Sequence, residues 1–224
     1  NEIVEPIYAF LEPLGNAFIV SAYDSFWGKD IGLLNSRGRI TLPLIYSSIK
    51  LAWGDMVWIY TNNNELIGLA TINGDILIEP CFGKVEPISN GYAKVNAGHW
   101  YNEEDEYSNS VNRKYSEGAW GIIDTSGRLV VPTAYHSVEI ENDGTFSVFG
   151  NYGYGRLNKD TKLVIKGPEG HYIPADSRFD WQHDFDSNGR SIVYSKDKYG
   201  SCRTGCINSQ GQFIVSSTPK ESED

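Results

Sequence analysis

Short alternating runs of apolar and polar residues, separated by turns that contain glycine, fill most of the chain. Two glycines six residues apart recur, the first followed by two apolar residues and a polar one, at Gly32 and Gly38, Gly68 and Gly74, Gly121 and Gly127, and Gly205 and Gly211. A weaker copy begins at Gly155 and has Thr161 in place of the second glycine. An Asn or Asp at the start of a turn bonds its own local backbone, and a following glycine takes a positive φ. Each copy therefore predicts a β-hairpin.

The second strand of each predicted hairpin is equally regular. An apolar residue lies four positions after the turn glycine, at Leu42, Ile78, Val131 and Val215. In the first three copies a proline follows within two residues, and an aromatic residue stands eight after the glycine, at Tyr46, Phe82 and Tyr135. Proline has no N–H to donate to a neighbouring strand, so strand pairing is predicted to end there and the chain to turn.

A second hairpin completes the repeat, and its turns lie at Gly54, Gly91, Gly144 and Gly189. The repeat therefore has two halves. The first halves cover residues 31–49, 67–85, 120–138, 154–165 and 204–215. The second halves cover residues 4–20, 46–60, 82–95, 135–149 and 179–194. Asn-Gly and Asp-Gly between apolar runs are strong hairpin signals, so the whole pattern predicts an all-β protein.

The two kinds of half are offset along the chain, which opens in a second half and ends in a first half. In an open array such ends leave unpaired strand edges, whereas in a ring the two terminal halves complete one unit. This favours a closed repeat ring, a five-bladed β-propeller with one blade completed by both termini. A β-solenoid of antiparallel hairpins is the alternative. The predicted domain covers 1–215, and the polar segment 216–224 is predicted to be a disordered tail.

One copy of the repeat resembles a known family. Residues Glu117–Pro132 include Trp120-Gly121-Ile122-Ile123-Asp124 and Gly127, are followed by Tyr135 and Val138, and are similar to the WG repeats of bacterial proteins. In the other copies the position of the tryptophan is held by Ile31, Ile67, Tyr154 and Thr204. The resemblance implies a non-enzymatic scaffold or binding role and supplies no catalytic residues.

Charge narrows the classes of partner. The net charge of −10 argues against nucleic acid and anionic membranes, because phosphate binding needs clustered Lys and Arg. A basic protein surface, a small neutral sugar or a cation remains open. No apolar stretch is long enough for membrane insertion. Three sparse cysteines, Cys81, Cys202 and Cys206, favour a reducing cytoplasmic location. A secreted or periplasmic location stays open, since the chain starts at Asn1 and upstream sequence can be missing.

Two groups of residues suggest metal binding, namely an acidic segment and the cysteines. The alignment of the repeats gives each group a structural role instead. Asp184–Gly189 looks like the start of a calcium loop, but Asn188-Gly189 aligns with hairpin turns and Ser195 stands where the loop needs Glu. Cys206 aligns with Ile122 and Cys81 with Ile7, which indicates small core residues. The histidines are scattered over different repeats, at His99, His136, His171 and His183. We therefore predict no metal and no other cofactor.

Catalysis is not expected either. Asp124 aligns with Asn35, Thr71, Asn158 and Asn208, so it is predicted to be a turn residue rather than one of a glycosidase's paired carboxylates. No Ser-His-Asp or Cys-His arrangement can be assembled from the sequence. A glycoside hydrolase is accordingly the least favoured function.

Two insertions interrupt the repeat, at Gly98–Ser116 and at Lys166–Arg178, and insertions in repeat proteins often carry binding. The first is predicted to bind a basic protein partner, through Trp100, Tyr101, Glu103, Glu104, Asp105, Glu106 and Tyr107. The alternative is a solvated loop whose aromatic residues pack locally. A lectin-like role, with one sugar site in each unit, is disfavoured because the loops differ between units.

Overall fold

The computed structural model describes residues 8–22, 30–61, 66–104 and 111–216. Within them the secondary structure is entirely β-strand and turn, and the strands pair antiparallel with their neighbours. No helix of the described segments could cross a membrane. The chain divides into two compact units, Asn1–Ala134 and Tyr135–Asp224.

The first thirteen described strands lie in the N-terminal unit, apart from Tyr135, the last residue of β13. A seven-stranded sheet comprises β1 (Tyr8–Leu14), β2 (Ala17–Ala22), β3 (Ile31–Asn35), β4 (Ile40–Trp53), β5 (Met56–Thr61), β6 (Ile67–Thr71) and β7 (Ile76–Phe82). A four-stranded sheet comprises β8 (Lys84–Val85), β9 (Tyr92–Asn96), β12 (Trp120–Asp124) and β13 (Leu129–Tyr135). Between β9 and β12 the chain forms a separate two-stranded sheet from β10 (His99–Glu104) and β11 (Val111–Ser116).

The C-terminal unit contains two further sheets. One comprises β14 (Ser137–Ile140), β15 (Phe146–Gly150), β16 (Gly153–Leu157), β17 (Leu163–Lys166) and β18 (Tyr172–Pro174). The other comprises β19 (Trp181–Gln182), β20 (Arg190–Lys196), β21 (Cys202–Asn208) and β22 (Phe213–Ser216). Each described sheet is open, with two edge strands.

These sheets follow one plan. The fourteen residues of β4 pair with β3 up to Tyr46 and with β5 beyond it, so β4 serves two successive groups of strands. The chain thus forms five consecutive antiparallel meanders, at residues 8–46, 46–82, 84–135, 137–166 and 181–216, with β18 added to the fourth. We call them the first to fifth meanders.

The meanders explain the offset between the repeat halves. Each meander is a second half followed by the next first half, so the boundary between sheets lies at the proline and aromatic segment in the middle of the sequence repeat. The first meander joins β2 to β3 and the fifth joins β20 to β21, so both terminal halves are completed by their neighbours along the chain. The described strands therefore show no blade that is shared by the two termini, and the closed ring stays a prediction. Ser216 ends β22, and the rest of the predicted tail lies outside the described residues.

The predicted turn chemistry is confirmed. The Oδ1 atom of Asn35 accepts hydrogen bonds from the N–H groups of Arg37 and Arg39, at 2.9 and 3.1 Å. The same pair of bonds forms at Asp124, Asn158 and Asn208. The last turn residue has a positive φ in every copy, at Gly38, Gly74, Gly127, Thr161 and Gly211.

The first glycine of the repeat is required for a different reason, which is close packing against the facing strand. A Cβ atom placed on Gly32, Gly68 or Gly121 would lie 2.6 Å from the carbonyl oxygen of Leu42, Ile78 or Val131, respectively. The register between the two strands shifts at this point in the first and second meanders, which brings the following strand against the glycine. Only a residue without a side chain fits there.

The apolar residues of the repeat form the core. Leu33, Leu69 and Ile122, each just after the first glycine, are fully buried, as are Leu42 and Val131 on the facing strands. In the N-terminal unit, Leu33 and Leu42 belong to one cluster of buried residues and Leu69 to another. The core therefore follows the repeat of the sequence.

Candidate functional site

The insertion at Gly98–Ser116 is a β-hairpin in its described part. Its strands β10 and β11 pair from His99 opposite Ser116 to Glu104 opposite Val111. Beneath the hairpin β9 and β12 pair directly, with Trp120 opposite Asn96, so the third meander is complete without it. The hairpin is therefore an addition to the repeat rather than a part of its sheet.

A single buried amide joins this hairpin to the meander. The side chain of Asn96 is fully buried, and its Oδ1 accepts hydrogen bonds from the Gly98 N–H at 2.8 Å and the Gly118 N–H at 3.2 Å. The same oxygen accepts a bond from the Tyr115 hydroxyl, while Nδ2 of Asn96 donates to the Gly118 carbonyl at 2.7 Å. Because a buried polar group is costly when its bonds are lost, Asn96 fixes both ends of the insertion.

Three glycines meet at the same junction. A Cβ atom on Gly118 would lie 2.1 Å from the nitrogen of Gly98, and one on Gly83 would lie 2.3 Å from the carbonyl oxygen of Gly98. A Cβ atom on Gly98 itself would lie 2.3 Å from the carbonyl oxygen of Ser116. Three backbone segments therefore pack more closely than a Cβ atom at these glycines would allow. This close packing holds the base of the hairpin in one position.

Aromatic and cationic side chains cover this junction. The ring of Trp100 lies 4.9 Å from that of Tyr115, and the Arg113 guanidinium lies 5.0 Å from the Trp100 ring centre. The Lys84 amine lies 3.8 Å from the centre of the Tyr115 ring. Burial, together with the nearby Glu117 carboxylate, raises the pKa of Tyr115 to about 12. Tyr115 therefore stays a neutral hydrogen-bond donor to Asn96 at ordinary pH.

Four of the seven predicted binding residues lie in β10. Trp100 is half-buried, with its ring against that of Tyr115. Tyr101, Glu103 and Glu104 lie in β10, and Glu103 and Glu104 form its last pairs with β11. The remaining three predicted residues, Asp105, Glu106 and Tyr107, lie outside the described residues.

A second candidate site lies in the C-terminal unit, at the insertion Lys166–Arg178. A cavity of about 510 Å³ is lined by Tyr154, Arg156, Tyr172, Gln182, His183 and Asp184, among others. An adjoining cavity of about 490 Å³ shares His183 and Asp184 and extends over β20 and β21. The sequence indicates this insertion as the second candidate for binding, but it does not predict the groove. The available signal was Tyr154, which replaces the tryptophan of the repeat and is 77% exposed.

The calcium-like segment is a hairpin turn, as the repeat predicted. Oδ1 of Asp186 accepts hydrogen bonds from the N–H groups of Asn188 and Arg190, and the Arg190 guanidinium pairs with its Oδ2. Asp184 accepts the Lys166 N–H at 2.7 Å. Among the described residues no three His, Cys, Asp or Glu side chains gather to bind a metal.

The cysteines depart from their expected place in the core. Cys81 is exposed, because its neighbour Phe82 is the residue of β7 that faces inward. Cys206 is only half-buried, since it lines the groove of the C-terminal unit instead of the core. The cysteines therefore lie in the predicted strands, but their side chains are on faces of the sheets other than the predicted ones.

The sequence family follows from the repeats themselves. The WG containing repeat matches residues 67–98 and residues 120–149. This chain contains WG repeats. Each matched WG repeat comprises the last two strands of one meander and the first two of the next, namely β6 to β9 and β12 to β15.

Two solved structures show a faint likeness to this chain. A puromycin hydrolase S511A mutant in complex with PGG has 10% identity and a TM-score of 0.27, over 96% of this chain and 38% of that one. PorZ, a surface component of the type-IX secretion system of Porphyromonas gingivalis, has 12% identity and a TM-score of 0.24, over 95% of this chain and 34% of that one. This chain thus spans just over a third of each. No curated protein matches it in sequence.

Proposed function

We propose that the chain is a non-enzymatic protein-interaction module whose β10–β11 hairpin binds a partner with a basic surface. The main support for this proposal is the junction of buried contacts at the base of the hairpin. Asn96 and three close-packed glycines hold an element that the third meander does not need for its own sheet. The base of the hairpin is therefore fixed to the third meander.

The charge of the outer end indicates the kind of partner. Glu103, Glu104, Asp105 and Glu106 are consecutive in a chain whose net charge is −10. Neighbouring carboxylates repel one another, and a basic surface relieves this repulsion on binding. We expect these residues to speed association, while Trp100 and Tyr101 supply apolar contact area.

The test compares two sets of four neutralised carboxylates. The first variant is Glu103→Gln, Glu104→Gln, Asp105→Asn and Glu106→Gln. The control is Glu12→Gln, Asp55→Asn, Asp160→Asn and Glu169→Gln, which alters four exposed carboxylates elsewhere. Both sets remove four negative charges, so the net charge goes from −10 to −6 in each. Any difference between them reports on position rather than on total charge.

The measurement is the association rate of a partner captured by cross-linking to the wild type, at low and at physiological ionic strength. The hairpin variant should associate about tenfold more slowly at low ionic strength and lose most of its salt dependence. The control variant should show a much smaller decrease in association rate and in salt dependence. Equal rates for the two variants would place the partner's site away from the hairpin.

The finer architecture is also a proposal. We propose that the meanders are the blades of a five-bladed β-propeller, because a propeller blade is a small antiparallel sheet of four strands and this chain repeats that unit five times. Each blade would then be built from consecutive strands, without an exchange between the termini. An experimental structure with the five sheets arranged around a central channel would support this, and a β-solenoid would overturn it.

A further inference from the structure

The groove of the C-terminal unit has the size and the lining of a ligand site. Its two adjoining cavities, of about 510 and 490 Å³, share His183 and Asp184. Each lies within the range of small-molecule sites, which is about 300–1,000 Å³. The groove belongs to a different compact unit from the hairpin.

Two tyrosine rings on the groove are held in place while they remain open to solvent. Tyr154 is 77% exposed, and its ring lies 4.6 Å from that of Phe149. Tyr172 is 54% exposed, and the Arg156 guanidinium lies 4.9 Å from its ring centre. Large apolar rings in water are costly, and a ligand that covers them recovers that free energy. The rings are thus platforms for an apolar face of a ligand.

A buried polar side chain reaches the same cavity. Gln182 is 3% exposed and lines the larger cavity, and its amide oxygen accepts the Asp176 N–H at 2.7 Å. The described residues provide no acceptor for the N–H groups of this amide. The amide nitrogen of Gln182 can therefore donate a hydrogen bond to an oxygen-bearing ligand in the cavity.

The charged groups of the groove are already engaged. Arg156 forms an ion pair with Asp143 at 2.7 Å, and Arg190 forms one with Asp186 at 3.0 Å. Asp184 has its carboxylate bonded to the Lys166 N–H. An anionic ligand would be repelled by Asp184, and both arginines are already paired. A cationic ligand would be repelled by Arg156. The balance favours a ligand without net charge.

These observations select one chemical class. We propose that the groove binds a neutral carbohydrate, with a sugar ring against Tyr172 or Tyr154 and hydroxyl groups bonded to Gln182 and Asp184. A sugar ring has an apolar C–H face that suits an aromatic ring. Its hydroxyls both donate and accept, which matches a carboxylate acceptor beside an amide donor. We propose one site rather than one in each meander, because the insertion that carries Tyr172 interrupts the fourth repeat unit.

The test uses a printed array of neutral, sialylated and sulfated oligosaccharides, followed by titration of the neutral oligosaccharide that binds best. The variants are Tyr154→Ala, Tyr172→Ala and Tyr172→Phe, and the control is Tyr199→Ala. Tyr199 matches Tyr154 closely, since it is 79% exposed, lies in the same unit and does not line the groove. Melting temperatures establish that every variant is folded.

We expect the wild type, Tyr199→Ala and Tyr172→Phe to bind the same neutral oligosaccharides. Tyr172→Ala and Tyr154→Ala should each weaken binding by about tenfold, because each removes a ring platform and Tyr172→Phe keeps it. The proposal is overturned if no neutral oligosaccharide on the array binds, if only charged ones bind, or if the two alanine variants bind as well as Tyr199→Ala.

Discussion

At the scale of single residues, the glycines of this protein do two different jobs. The turn glycines supply a positive φ, as at Gly38 and Gly189, where a Cβ atom would have no neighbour within 4 Å. The strand glycines, such as Gly121, make room for the carbonyl oxygen of the facing strand. The first role was predictable from turn chemistry, whereas the second depends on a register shift that no local pattern reveals.

The two roles predict different costs of substitution. Gly121→Ala should lower the free energy of unfolding by about 2–3 kcal/mol, because the strands must separate to admit the new methyl group. Gly189→Ala should cost only about 1 kcal/mol, since the strain there is confined to a positive φ. Denaturant unfolding of both variants measures the difference. Equal losses would show that close packing is not what selects glycine at position 121.

The raised pKa of Tyr115 predicts a pH dependence. Its pKa of about 12 in the folded protein lies above the ordinary value of 10.0, so the unfolded chain loses this proton first as the pH rises. Stability is therefore fully present below about pH 10 and falls towards pH 12. Tyr115→Phe cannot ionise at this position, so its stability should fall less steeply over that interval. Identical slopes for the two proteins would contradict the proposed environment of Tyr115.

The turn at Asp186 predicts indifference to calcium. Its carboxylate already accepts backbone and Arg190 bonds, so added calcium should leave the melting temperature unchanged. A ligand at a hundredfold its dissociation constant would add about 2.7 kcal/mol, which a thermal melt detects easily. A rise with calcium that Asp184→Ala abolishes would establish a metal site instead.

At the scale of elements, the hairpin β10–β11 has an inner part that belongs to the fold and an outer part that does not. The sequence correctly located an insertion, because Gly98–Ser116 breaks the repeat. It did not reveal that Gly98 and Tyr115 belong to the buried junction around Asn96. That junction joins residues far apart in the chain, and its glycines resemble ordinary loop glycines until the three segments are brought together.

This division predicts the outcome of two deletions. Replacement of residues 101–114 by a short turn should leave the melting temperature close to that of the wild type, because Asn96 keeps all its partners. Replacement of residues 98–116 removes Gly98 and Tyr115, and should cost about 2–4 kcal/mol through the unsatisfied amide of Asn96. Thermal unfolding compares the two. A shorter deletion as damaging as the longer one would show that the outer part also belongs to the fold.

At the scale of the whole molecule, the repeat was predicted from the sequence, but the position of the boundary between meanders was not. The meanders have the same length along the chain as the sequence repeats, but they begin half a repeat later. The chain passes to the next meander near Tyr46, Phe82 and Tyr135, which lie in the middle of the sequence repeat. The half-unit offset at the termini follows from this shift. The groove of the C-terminal unit was beyond prediction, since its lining comes from residues of two meanders.

We propose that the β10–β11 hairpin binds the partner and that its outer part is separable from the fold. The most direct test is the affinity of the captured partner for the wild type and for the chain with residues 101–114 replaced by a short turn. The account predicts that the shortened chain melts like the wild type and binds the partner at least about a hundredfold more weakly, as expected when the central contacts of an interface are removed. A shortened chain that melts like the wild type and binds with unchanged affinity would contradict the account.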